Sequence, residues 1–127
     1  MMKLTESAEM YLATIKLLEE EHGYAKVVEI AESLGVTKPS VSNAMSQLLN
    51  EGYIDKEPYS HVTLTEKGKM IAEDLVMKRR MIISYLQHSL GLSRSEASKN
   101  ACRMEHVISD EMFDRIIHYL QKMDSNQ

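Results

Sequence analysis

Glu29-Ile30-Ala31-Glu32-Ser33-Leu34-Gly35-Val36-Thr37-Lys38-Pro39-Ser40-Val41-Ser42 is the stretch that decides how this chain folds. Its first half completes a short amphipathic helix over residues 27–34, with Val27, Ile30, Ala31 and Leu34 recurring at helical spacing. Gly35 ends that helix and Thr37 opens the next. A threonine hydroxyl can cap the free N–H groups of a first turn, and Pro39 falls where a missing N–H costs nothing. The second helix runs on through Val41, Met45, Leu48 and Leu49 and stops at Gly52. Two alternating runs follow, Tyr53 to Lys56 and Val62 to Thr65, separated by Pro58-Tyr59-Ser60; they predict a small β-hairpin. Two short helices joined by a glycine-containing turn and followed by a hairpin form a winged helix-turn-helix pattern.

In that pattern the second helix enters the major groove of double-stranded DNA. Its outward residues are small and polar, Thr37, Lys38, Ser40, Ser42, Asn43 and Gln47, and Pro39 and Ser40 present methylene groups that could touch thymine methyls. Small side chains let the backbone approach DNA, and Asn or Gln can pair bidentately with an adenine edge. The hairpin tip from Lys56 to His61 would be the wing, with Lys56, Ser60 and His61 reaching phosphate or the minor groove. Lys26, just ahead of the motif, joins these candidate contacts. Around the motif the pattern is helical. Helices are expected from Thr5 to about His22, from Thr65 (as cap) to about Ser89, over about 94–107 behind Ser93, and from the cap Ser109-Asp110-Glu111 to near Met123. The fold class is mainly α. On the last helix, Met112, Phe113, Ile116 and Leu120 are expected to pack a dimer.

The chain has 127 residues, enough for one domain or two very small ones, and is 43% hydrophobic, which suits a packed core. Its single cysteine rules out an internal disulfide, and no apolar run approaches a membrane span. No secretory pattern opens it, so a cytoplasmic location with no membrane partner is expected. The net charge is −4, yet residues 26–80 carry eight basic and eight acidic groups and balance to zero. DNA contact there depends on local geometry more than on the overall field.

A second feature lies far from the helix-turn-helix. Ala101-Cys102-Arg103-Met104-Glu105-His106 places a thiol, a carboxylate and an imidazole at i, i+3 and i+4, on one helical face. These are the donors that bind divalent transition ions such as Fe²⁺, Co²⁺, Ni²⁺ and Zn²⁺. A lone cysteine is more often a small buried hydrophobe, and three ligands do not complete a coordination sphere. A thiol-based redox sensor using Cys102 on the same winged-helix scaffold is the alternative. A Cys–His enzyme is disfavoured, because no third orienting group and no oxyanion-hole loop accompany the pair.

Together, Thr5-Glu6-Ser7-Ala8-Glu9-Met10-Tyr11 and the residues through Leu18, the helix-turn-helix, and Ala101 to Glu111 resemble the diphtheria-toxin-repressor group of iron- and manganese-dependent regulators. The resemblance runs the length of the chain. It implies a winged helix-turn-helix domain over 1–72 and a helical metal-binding and dimerisation domain over 73–127. It further implies a homodimer on a palindromic operator, repressing metal-uptake genes when a metal ion bridges the two domains. It supplies a fourth donor as well: Met10 matches the methionine that iron-type members use, giving Met10, Cys102, Glu105 and His106. Two sulfur donors favour Fe²⁺ over Mn²⁺, with Mn²⁺ possible and Co²⁺, Ni²⁺ or Zn²⁺ as surrogates. The ancillary site of iron-type members falls here on Arg79, Ile83 and Ser98, none of which ligates. No ancillary site is therefore expected, and Arg79 is expected to set a fixed positive charge near the ion. At this length the SH3-like domain of many members is not expected.

Overall fold

A computed structural model describes residues 4–57 and 61–125. Among the described residues the order is α1 (Glu6–His22), β1 (Ala25–Lys26), α2 (Val27–Leu34), α3 (Lys38–Asn50), β2 (Ile54–Glu57), β3 (His61–Leu64), α4 (Glu66–Leu90), α5 (Arg94–Val107) and α6 (Asp110–Ser125). The chain divides into two compact units, Met1–Asp74 and Leu75–Gln127.

Five of the six described helices start on hydroxyl caps, and α2 starts with the Glu29 carboxylate accepting the Lys26 N–H. Thr5 accepts from the N–H of Ala8, Thr37 from Ser40, Thr65 from Gly68, Ser93 from Glu96 and Ser109 from Met112. Each satisfies an N–H that the first turn leaves unpaired. The ends of α1 and α2 fall at Gly23 (φ 90°) and Gly35 (φ 66°), left-handed positions that glycine adopts without Cβ strain. Every predicted helix is present, with α6 ending two residues beyond the expected Met123.

In the first unit, Leu12 and Ile15 of α1, Ile30 of α2, Val41, Met45 and Leu48 of α3, and Ile54, Val62 and Leu64 of the sheet form one buried core. Ala72 of α4 closes it. The hairpin is as expected, with Ile54 opposite Leu64 and Lys56 opposite Val62. The sheet has a third strand that the sequence reading did not anticipate. Ala25–Lys26 pairs antiparallel with β3, Ala25 opposite Val62, so the order is β1-β3-β2. Glu19 adds a tie from α1, its carboxylate accepting the N–H of Leu64 at 2.8 Å. Leu49, on α3, is 41% exposed.

The second unit has its own core of Ile82, Ile83 and Leu86 from α4, Ala97 and Ala101 from α5, and Ile116 from α6. Tyr85, Met104 and Leu120 pack against it. Tyr85 also meets Tyr119 edge-on at 5.2 Å.

Candidate nucleic-acid face and metal centre

Helix α3 is fixed by what it buries. Val41, Met45 and Leu48 face the core, which turns the opposite side of the helix to solvent. Lys38, Pro39, Ser40, Ser42, Asn43 and Gln47 are all exposed there, together with the cap Thr37. Ser46 and Asn50, outside the predicted set, share this exposure. The hydroxyls at the start of the helix are ordered: Thr37 donates to Ser40 Oγ at 2.9 Å while accepting the Ser40 N–H. Ser46 donates back to the Ser42 carbonyl at 3.1 Å. The amides of Asn43 and Gln47 stand in the exposed row as donor–acceptor pairs of the type that reads base edges.

The predicted wing residues divide three ways. Lys56 is exposed on β2. Ser60 lies outside the described residues. His61 opens β3 and stacks on Tyr24, with ring centroids 4.2 Å apart and planes 11° apart. Tyr24 also meets His22 edge-on, and the Lys26 ammonium sits 5.6 Å above its ring. Lys26 and His61 thus both contact Tyr24, where β1 pairs with β3. Tyr24 was missed in the sequence because the contact joins residues far apart in the chain.

On α5, Ala97, Ala101 and Glu105 are buried. A carboxylate 1% exposed needs a compensating charge, and Arg79 of α4 supplies it. Arg79 Nε donates to Glu105 Oε2 at 2.9 Å and Nη2 to Oε1 at 2.5 Å, a bidentate fork. Burial alone would lower the Arg79 pKa. The hydrogen bond to Glu105 and the charges of Glu105 and Cys102 outweigh it, so the pKa is held above its usual value. His106 Nε2 lies 3.1 Å from Glu105 Oε1, with its side chain buried. Cys102, one turn earlier, is half-buried. Met10 is half-buried on α1.

The α5 donors are therefore only partly assembled. Glu105 and His106 come together, but among the described residues no three His, Cys, Asp or Glu side chains converge as a metal cage. The cluster does fit a cation chemically. Its carboxylate is buried and already holds a positive group, its imidazole adjoins the same oxygen, and its thiol lies within the field of that group. Arg79, the residue expected to set a fixed charge near the ion, holds Glu105 directly. Ile83, at the second ancillary position, is a core residue and cannot ligate.

Two family models account for nearly all of the chain. Residues 3–62 match the N-terminal DNA-binding domain of the iron-dependent repressors, and residues 65–127 match their metal-binding and dimerisation domain. The chain belongs to the iron-dependent repressor family. That is the diphtheria-toxin-repressor family, whose members are DNA-binding transcriptional repressors and not enzymes. A helix-turn-helix transcriptional regulator of Methanocaldococcus jannaschii is 36% identical over 120 residues, covering 94% of this chain and 96% of its own length. The crystal structure of IdeR from T. acidophilum superposes with a TM-score of 0.83 at 26% identity, covering 95% of this chain and 56% of that one. A manganese-dependent transcriptional repressor solved with manganese gives 0.82 at 29% identity, over 90% of this chain and 52% of that one. The chain thus spans little more than half the length of these two solved relatives. Among the described residues no helix is long and apolar enough to cross a membrane.

Proposed function

We propose that this protein is a cytoplasmic, homodimeric transcriptional repressor that binds a palindromic operator when loaded with a divalent metal ion, and that it controls metal-uptake genes. The observation that carries the DNA-binding part is the exposed row Thr37, Lys38, Ser40, Ser42, Asn43 and Gln47, aimed outward by the buried Val41, Met45 and Leu48. Lys38 and Lys56 would neutralise phosphates, while Asn43 and Gln47 would read bases.

Cys102, Glu105 and His106 are the residues that would hold the ion, with Met10 as the donor that family resemblance supplies. The ion contributes positive charge and bonds to soft donors, which the protein's own side chains cannot provide together. Thioether and thiolate ligands favour Fe²⁺, whereas an oxygen-rich sphere would favour Mn²⁺. Both metals occur among the relatives, so the ligand set is the basis for preferring iron. Nothing in the relatives favours the redox alternative at Cys102.

The experiment is a gel shift with operator-containing genomic fragments, under anaerobic conditions, with Fe²⁺, Mn²⁺ or chelator. Wild-type protein should retard specific fragments only with metal, and Cys102→Ala and His106→Ala should lose that dependence. Metal-dependent retardation unchanged in both variants would remove these ligands from the model.

A further inference from the structure

Arg79 engages both oxygens of Glu105, so the carboxylate that the metal reading needs is already committed to another cation. The guanidinium side chain is itself only 15% exposed, which rules out a loosely held surface contact. Glu105 Oε1 lies 3.1 Å from His106 Nε2, and it is the same atom that takes the shorter of the two Arg79 hydrogen bonds. A divalent ion placed on Glu105 and His106 would therefore stand next to a permanent positive charge, in surroundings too dry to screen the repulsion. Arginine cannot relieve this by losing its proton.

We propose that Arg79 sets the metal threshold of this protein: it is an internal cation that competes with the divalent ion for Glu105 and must withdraw before Glu105 can ligate. The inference rests on the metal-site reading above and adds a residue that is not a ligand. When the binding-competent arrangement is only a fraction of the population, apparent affinity falls by that fraction. Arg79 thus weakens every ion. The factor is common to all ions, so the ones that still bind at low concentration are those that the thiolate and imidazole hold most tightly, the later transition metals. The device would tune the concentration at which repression begins, and it does so from α4, one helix away from the ligands.

The test is calorimetric and visible-absorption titration of the full chain with Co²⁺, without DNA, comparing wild type, Arg79→Gln and Arg79→Lys. Arg79→Gln should bind at least about tenfold tighter, because the competing arrangement is gone. Arg79→Lys, which keeps the charge but loses the two-pronged fork, should fall between. The gain should disappear in the Glu105→Gln/Arg79→Gln double variant. Circular dichroism confirms folding; should Arg79→Gln not fold, Arg79→Lys decides alone, and an affinity equal to wild type overturns the proposal. Equal or weaker binding by folded Arg79→Gln overturns it while leaving the metal site intact. Absence of Co²⁺ binding in every protein overturns both readings together.

Discussion

Helices α3 and α5 are built alike, yet they end differently. They have 13 and 14 residues, each begins on a hydroxyl cap, and each buries a stripe at helical spacing. In α3 the stripe is Val41, Met45 and Leu48; in α5 it is Ala97, Ala101 and Glu105. An apolar stripe asks only for any apolar neighbour, so the outer face of α3 is free to be chosen for DNA. A stripe that ends in a buried carboxylate asks for one particular partner in one geometry. The first helix therefore presents its chemistry outward, and the second holds its chemistry inside, paired with Arg79.

The largest effect should come from breaking the inner arrangement. Arg79→Ala leaves Glu105 buried without its charge partner and should lower unfolding stability by about 3–5 kcal/mol in urea denaturation. Replacing both members with apolar residues, as in Arg79→Met/Glu105→Leu, should recover most of that loss, since a buried ion pair is seldom worth more than good packing. A loss under about 1 kcal/mol in the single variant would mean that water or another group satisfies Glu105, and the contrast with α3 would disappear.

The same contrast explains what the sequence discloses. Caps at Thr5, Thr37, Thr65, Ser93 and Ser109 are local features, each acting within three residues, and all were legible. The α3 face was legible because burial on one side dictates exposure on the other. Ala25–Lys26 was not, since a two-residue strand carries no periodicity and exists only because β3 pairs with it. The stacking on Tyr24 of His61, a residue expected to reach DNA from the wing, was hidden for the same reason. Resemblance placed a charge at Arg79 near the site. That this charge grips Glu105 with both prongs depends on two helices meeting, which spacing along the chain does not encode.

Gly68 is a smaller test, on the first unit. A Cβ there would lie 2.0 Å from the Tyr53 carbonyl oxygen, a clash with backbone that no rotamer relieves. Gly68→Ala should therefore cost about 1–3 kcal/mol, although alanine is the better helix former. The thermal midpoint reads the outcome, and an unchanged midpoint would show that the backbone at Tyr53 yields easily. Smaller again is Thr37→Ala. It removes the acceptor for the Ser40 N–H and should cost about 1 kcal/mol, measurable by the same scan.

Asn43→Ala and Gln47→Ala sit at the bottom of the stability scale and separate the two helices most sharply. Both side chains are exposed on α3, so neither substitution should move unfolding stability by more than about 0.5 kcal/mol. If they read bases, each should still weaken operator binding by about 1–3 kcal/mol while leaving non-specific DNA binding nearly unchanged, because a lost base contact affects discrimination and a lost phosphate contact does not. Lys38→Ala is the control: as a phosphate contact it should weaken both kinds of binding together and flatten the salt dependence. The pattern to look for is affinity without stability on α3, against stability linked to metal affinity at Arg79 and Glu105. Should Asn43→Ala and Gln47→Ala lower specific and non-specific binding equally, α3 would be positioning the protein on the backbone, and the reading of sequence would have to lie elsewhere on the exposed face, with Ser42 and Ser46 the next residues to substitute.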